Sequence, residues 1–238
     1  LQAVMEAVRE GKEFDKIFME KGVNTGLAME LRALLKEHNI MFKAVPVEKL
    51  NRLTPKEHQG VFAFVSPVNF FSLGDVLMQT FEEGKSPLFL MLDRITDVRN
   101  FGAITRTAEA CGVHAIILPK IGGAQLNADA MKTSTGALMH IPICREQNLH
   151  HSLKYLKKSG LKVVACTEKS DTNLYDVPFT DPVVIVMGSE EDGISEDILE
   201  LADAKTRIPM FGKTESLNVS VASAVILYEG IRQRQNEG

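Results

Sequence analysis

Long apolar runs are missing from this sequence: none approaches the roughly 20 residues that a membrane-spanning helix needs. The start, Leu1-Gln2-Ala3-Val4, has no basic segment ahead of an apolar one, so no export signal is read there. It also lacks an initiator methionine, and the chain reads as beginning inside the native protein. Cysteine is scarce. Cys111, Cys144 and Cys166 are far apart, odd in number and without metal-ligand spacing. No metal site is expected, and the three read as buried thiols in a reducing compartment, the cytoplasm.

Nucleotide-binding glycine patterns are missing too. No Gly-x-Gly-x-x-Gly follows the first strand of the larger domain, and Gly122-Gly123 lacks a third glycine. Phe211-Gly212-Lys213-Thr214 lacks the upstream glycine of a phosphate loop. Hydride transfer and nucleotide hydrolysis therefore rank low. A large positive charge is absent as well. The net charge of −4 argues mildly against a nucleic-acid binder that relies on bulk electrostatics. Residues 1–67 balance at +1 and residues 68–238 at −5, an asymmetry too small to decide anything.

What is present is an ordinary globular composition, 45% apolar and 24% charged, in 238 residues. That length suits one large domain or two small ones. A first α/β module is read over 1–67. Its helices lie at 1–10 and 27–38, the latter with a Leu27, Leu31, Leu34, Leu35 stripe. Strands are expected at 16–19, 41–45 and 61–65, and Thr54-Pro55 reads as a helix start. His58 reads as a turn residue before a strand rather than a catalytic group. Residues 68–86 form a connecting segment with a helix over 72–83. The second domain runs 87–238. Strands at 88–92, 113–118, 141–144, 162–166 and 182–187 alternate with helices at 102–110, 127–137, 151–159 and 198–202. Such alternation argues a mostly parallel sheet with helices on both faces.

The stretch Arg207–Glu229 organises this domain. A strand end runs into a loop broken by Pro209 and Gly212. Ser216 is placed to cap a helix over 217–228 that is apolar nearly all round, and such a helix must be buried on more than one side. One of those sides suits a second subunit. Three polar, glycine-bearing loops follow three buried strands, at 97–102, 188–193 and 211–218. The carboxyl ends of parallel strands gather on one edge, where ligands bind. Arg106 lies in the helix after the first loop, close to Asn100. Glu190 directly follows an apolar strand, where a carboxylate needs a partner, water or a helix N-terminus.

Three motifs then carry a resemblance. The first is Leu92-Asp93-x-x-x-Asp97-x-x-Asn100-x-Gly102-Ala103-Ile104-x-Arg106-Thr107-Ala108. The second is Met187-Gly188-Ser189-Glu190-x-x-Gly193-Ile194-Ser195. The third runs from Ile208-Pro209-Met210 through Glu215-Ser216-Leu217-Asn218-Val219-Ser220-Val221-Ala222. In order and spacing they resemble the SpoU/TrmH family of RNA ribose 2′-O-methyltransferases, of the SPOUT superfamily. The leading module, with His58-Gln59-Gly60-Val61, looks like the N-terminal domain of the type that methylates guanosine in 23S ribosomal RNA (the RlmB type). Val98 departs from a common proline, and Glu191-Asp192 from a common glycine plus polar or basic residue.

The resemblance implies an α/β fold whose C-terminal sheet is threaded into a deep trefoil knot, behind a small N-terminal α/β (L30e-like) domain. It implies S-adenosyl-L-methionine as cofactor, bound by Thr167, Gly188, Ile208, Met210 and Leu217. It implies a catalytic set of Asn100, Arg106, Glu190, Ser216 and Asn218, with no metal, and a homodimer with active sites at the interface. The expected substrate is structured RNA, most simply 23S ribosomal RNA. Transfer RNA is the alternative, and a catalytically silent RNA-binding homologue a further one. The family mechanism makes the arginine the general base. An ordinary guanidinium pKa above about 12 favours a phosphate grip by Arg106 instead, with deprotonation by that phosphate or by Glu190.

Overall fold

The computed structural model describes residues 1–236, and the chain divides between Asn69 and Phe70 into two units. The first unit comprises α1 (Gln2–Arg9), β1 (Phe14–Glu20), α2 (Gly26–Glu37), β2 (Lys43–Val45), α3 (Val47–Leu53) and β3 (Val61–Val65). Its sheet has the order β2-β1-β3, with β2 parallel and β3 antiparallel to β1. Alternation along β1 explains the layering. Ile17 and Met19 pack on α1 and α2 through Met5, Val8, Leu31 and Leu35, while Phe18 points to the other face with Val45 and Leu50 of α3. Thr54-Pro55 ends a helix rather than starting one. The proline ring holds Thr54 extended (φ −149°, ψ 134°), and α3 stops before it. His58 is a turn residue: its Nδ1 accepts from the Gly60 amide at 3.0 Å, and Nε2 pairs with Asn51 at 2.9 Å.

The second unit opens with α4 (Leu73–Glu82), whose Leu73, Val76 and Leu77 enter this unit's core. The helix expected in a connecting segment over 68–86 is therefore part of the domain that follows it. Then come β4 (Leu88–Leu92), α5 (Val98–Ala110), β5 (Ala115–Pro119), α6 (Ala128–Thr133), β6 (Ile143–Glu146), α7 (Leu149–Lys158), β7 (Lys162–Cys166), β8 (Val183–Met187), α8 (Glu196–Leu199), β9 (Ala204–Thr206) and α9 (Val219–Asn236). The sheet order is β6-β5-β4-β8-β7-β9, and every pairing is parallel. β4 and β8 are buried along their whole length, as their unbroken Leu and Val runs require. The strand order reverses between β4 and β8, so a crevice is expected at their carboxyl ends.

Several helix boundaries differ from the sequence reading, and three have a clear local cause. α5 begins at Val98, not Gly102, because the Asp97 carboxylate accepts from the Asn100 amide at 2.7 Å and draws a polar turn into the helix. Val98 thus holds the first helical position, where proline's missing N–H would cost nothing. α6 stops at Thr133, since Thr135 and Gly136 adopt left-handed φ of 54° and 85°. α9 begins at Val219, and Asn218 caps it instead of Ser216: its Oδ1 accepts from the Ser220 amide at 3.0 Å and hydroxyl at 2.6 Å.

After β9 the chain returns over the carboxyl ends of β7 and β8 and lays α9 against α5. Arg207 pairs with the 172–174 backbone on the way out. Gln233 bonds to Val177 and Phe179, and Arg234 donates to the carbonyls of Ser86, Pro87, Phe179 and Asp181. Ser223, Ile226, Leu227 and Gly230 are buried, but Val221 and Tyr228 stay exposed. Within one chain the helix is therefore not covered all round.

Candidate active site at the carboxyl edge of the sheet

Three loops converge where the strand order predicts. Asn100 sits in the first turn of α5, Glu190 follows β8, and Asn218 caps α9. Glu190 Oε1 accepts from Asn218 Nδ2, from Asn100 Nδ2 at 3.3 Å and from the Val219 amide at 3.1 Å. Asn218 Nδ2 also donates to Asn100 Oδ1 at 3.0 Å. Glu190 does stand at a helix N-terminus, but at that of α9, twenty-nine residues on, rather than at its own segment's helix. Its second oxygen makes no hydrogen bond to a described residue.

Beside this cluster lies a cavity of about 510 Å³, within the range of small-molecule sites. Thr167, Gly188, Ile208, Met210 and Leu217 all line it, together with Glu190, Ser216 and Asn218. Gly188 is indispensable there. The loop after β8 folds back through a Ser189–Gly193 bridge, and a Cβ on Gly188 would lie 2.1 Å from the Gly193 carbonyl carbon. From Ile208 to Leu217 no backbone or side-chain group is hydrogen-bonded to another described residue. A loop wall of free amides and carbonyls, next to apolar Ile208, Leu217 and Ile226, fits a ligand with a heteroaromatic base and a flexible polar tail.

Ser216 lines the cavity but joins no hydrogen bond with the Asn100–Glu190–Asn218 cluster. Arg106 is exposed on α5, six residues beyond Asn100, about 9 Å along a helix axis, and no described residue pairs with its guanidinium. Within one chain it stands apart from the bonded cluster.

The sequence reading missed a support beneath the loop. Buried Asp93 accepts from both the amide and hydroxyl of Ser195 at 2.7 Å. Arg94, in a left-handed conformation, donates to the Gly193 carbonyl at 3.0 Å, and its guanidinium lies 3.8 Å from the Asp192 carboxylate. The acid that departs from the family pattern is thus partly neutralised from within. Cys166 also lines the cavity, yet burial pushes its thiol up to about 12, so it is no nucleophile at neutral pH. Among the described residues no group of three His, Cys, Asp or Glu could hold a metal.

Comparison with known proteins agrees with the motifs. The family model of SpoU rRNA methylases matches residues 87–228, and a model described as RNA 2′-O ribose methyltransferase substrate binding matches residues 1–71. A Bacillus subtilis protein named YacO, assigned to TrmH-family tRNA/rRNA methyltransferases, is 34% identical over 99% of this chain and 95% of its own length. The SpoU methyltransferase AviRb from Streptomyces viridochromogenes, solved with AdoMet, is 26% identical, with a TM-score of 0.64 over 99% of this chain and 88% of that one. A TrmH/SpoU tRNA modifying enzyme of A. aeolicus is 36% identical, with a TM-score of 0.60 over 65% of this chain and 78% of that one. With its parallel sheet, its glycine-floored cavity and its three converging motifs, the chain belongs to the SpoU methylase family.

Proposed function

We propose that this chain methylates a ribose 2′-hydroxyl of structured RNA, with S-adenosyl-L-methionine as donor, and that the RNA is ribosomal. The observation that carries this reading is the Asn100–Glu190–Asn218 cluster at the rim of the Gly188 cavity. Bound in that cavity, the cofactor supplies a methyl group already activated on a positively charged sulfur. Gly188 and the backbone of 208–217 hold it, and Leu217, Ile208 and Ile226 exclude water from it. The chain's task is then to align and deprotonate the ribose hydroxyl. Asn100 and Asn218 fix the Glu190 carboxylate, whose free oxygen accepts from the hydroxyl. As the 2′-oxygen–methyl bond forms, the sulfur–methyl bond breaks. The hydroxyl proton passes to Glu190 or to the neighbouring phosphate. Arg106 grips that phosphate.

Two further parts belong to the proposal. The exposed Val221 and Tyr228 of α9 favour a homodimer built on α5 and α9. The knotted threading is favoured by the double attachment of the last segment to residues 172–181. Ribosomal rather than transfer RNA is favoured by the family description matched over 87–228, which names rRNA methylases.

The test is methyl transfer from labelled cofactor to ribosomal RNA and to transfer RNA, with calorimetry of S-adenosylhomocysteine binding alongside. Transfer to ribosomal RNA is expected, and product on transfer RNA alone would reverse the substrate assignment. Arg106→Ala abolishes transfer and leaves cofactor binding unchanged. Arg106→Lys keeps the charge but loses the two-pronged grip, so activity falls on the order of 100-fold with little rescue at high pH. A lysine variant with near-normal rate at alkaline pH would make Arg106 the base.

A further inference from the structure

The α3 face of the first unit's sheet is only half covered. α3 lays Leu50 and Leu53 over Phe18, Val45 and Phe62, and there it ends. Three rings form a chain across this face. Phe62 meets Phe64 edge-on at 5.1 Å between centroids, and Phe64 meets Phe18 edge-on at 6.4 Å. Phe64 is 36% exposed. Register brings cations to the same face: Lys16 stands opposite Phe64, and Lys43 opposite Phe18. Lys49 of α3 holds its ammonium 5.0 Å over the Phe18 ring.

All three lysines are exposed, and none is ion-paired with a described carboxylate. Glu20, on this face of β1, lies at the other end, against Gly60, and Glu48 is the neighbouring acid on α3. A single exposed ring on a strand needs no explanation, but an exposed ring on a face that also carries three lysines, none of them salt-bridged to a described carboxylate, does. Covering the face with an apolar protein surface would strand those charges without partners. An unpaired nucleotide offers what each group lacks: a π-face for the ring and phosphates for the cations.

We propose that this face is a stacking platform for an unpaired base of the RNA substrate, with Phe64 under the base and Lys16 and Lys43 on the flanking phosphates. The inference rests on the reading of RNA as substrate. It also fits the electrostatics: a chain of net charge −4 gains little RNA affinity from its overall field, so local clusters of cations matter more.

The experiment uses the full chain, a labelled short oligouridine and, as a contrast, a blunt RNA duplex, read by fluorescence anisotropy across a salt series. Phe64→Leu keeps the apolar side chain and removes the π-face. It should weaken oligouridine binding roughly tenfold and leave duplex binding unchanged. Lys16→Gln and Lys43→Gln should each lower the salt slope by about 0.7. S-adenosylhomocysteine binding and melting temperature should be those of the wild type in all three variants. Wild-type oligouridine affinity and salt slope in all three would overturn the platform, as would a change of oligomeric mass in Phe64→Leu, which would mark the face as a contact between copies. If the variants lose RNA binding but no RNA is ever methylated by the parent chain, the platform stands and the methyltransferase reading fails. Robust methylation with unaffected binding gives the reverse.

Discussion

At the scale of single residues, Glu190 has two duties that substitution can separate. One oxygen accepts three N–H groups and so ties β8 to the starts of α5 and α9, and the other bonds to no described residue. Glu190→Gln can keep the accepting oxygen in place and turn its amide outward. It should fold, bind S-adenosylhomocysteine normally and lose transfer activity by about 100-fold or more. Glu190→Ala leaves the three donors without their acceptor. It should also destabilise the chain by about 1–3 kcal/mol, seen as a lowered Tm. Equal stability losses in the two variants would count against the division of duties. The motif resemblance singled out Glu190, Asn100 and Asn218, and the structure joins these three side chains in one hydrogen-bonded cluster. Asp93, Arg94 and Ser195 were not legible as a network. Nothing in their spacing reveals that Ser195 returns to a residue 102 positions earlier.

Elements were read well where a hydrophobic pattern defined them and less well where a cap did. The strands at 88–92 and 183–187 are buried along their whole length and announce themselves by unbroken apolar letters, as do residues 163–165 at the centre of β7. The starts of α5 and α9 depend instead on single side-chain acceptors, Asp97 and Asn218, with competing Ser, Thr and Asp residues nearby. Cap choice is decided by where the strand before it ends, which is a tertiary matter. The loop after β8 makes the sharper prediction. Gly188→Ala drives a methyl group into the Gly193 backbone, which cannot yield as a flexible side chain would. The expected cost is about 3 kcal/mol, a Tm drop of roughly 5–10 °C, with loss of detectable S-adenosylhomocysteine binding by calorimetry. A Gly188→Ala chain that binds the ligand with parental affinity would show that the loop has another way to close.

For the whole molecule, the two-unit division and the parallel sheet were legible because strands and helices alternate after residue 87, and the cavity lies at the carboxyl ends of β7, β8 and β9. The exact partition was not: α4 reads as a tether by its flanking breakers, yet its apolar stripe fills the core of the second unit. The remaining uncovered surface of α9 leads to a prediction about assembly. Val221 is half exposed in one chain, so Val221→Glu should be tolerated by the monomer fold. It should halve the mass seen by light scattering at micromolar concentration and abolish methyl transfer. An unchanged dimer with full activity would move the interface elsewhere.

The return of the last segment has a consequence for when the site comes into being on the ribosome. The cavity draws its walls from Cys166 to Ile226, and its cluster joins Asn100 to Asn218. Arg234, near the end of α9, fastens that helix to the carbonyls of Ser86 and Pro87, at the mouth of β4. A nascent chain stopped before Asn218 already contains all nine strands of the described residues but lacks the cap, the α9 wall and the Arg234 clasp. It can form a sheet, but it has no finished pocket in which a ligand could add its binding energy to the fold. Ligand-dependent resistance to proteolysis should therefore appear only once α9 has left the exit tunnel, so that holding the cofactor marks a chain whose synthesis has passed Asn236.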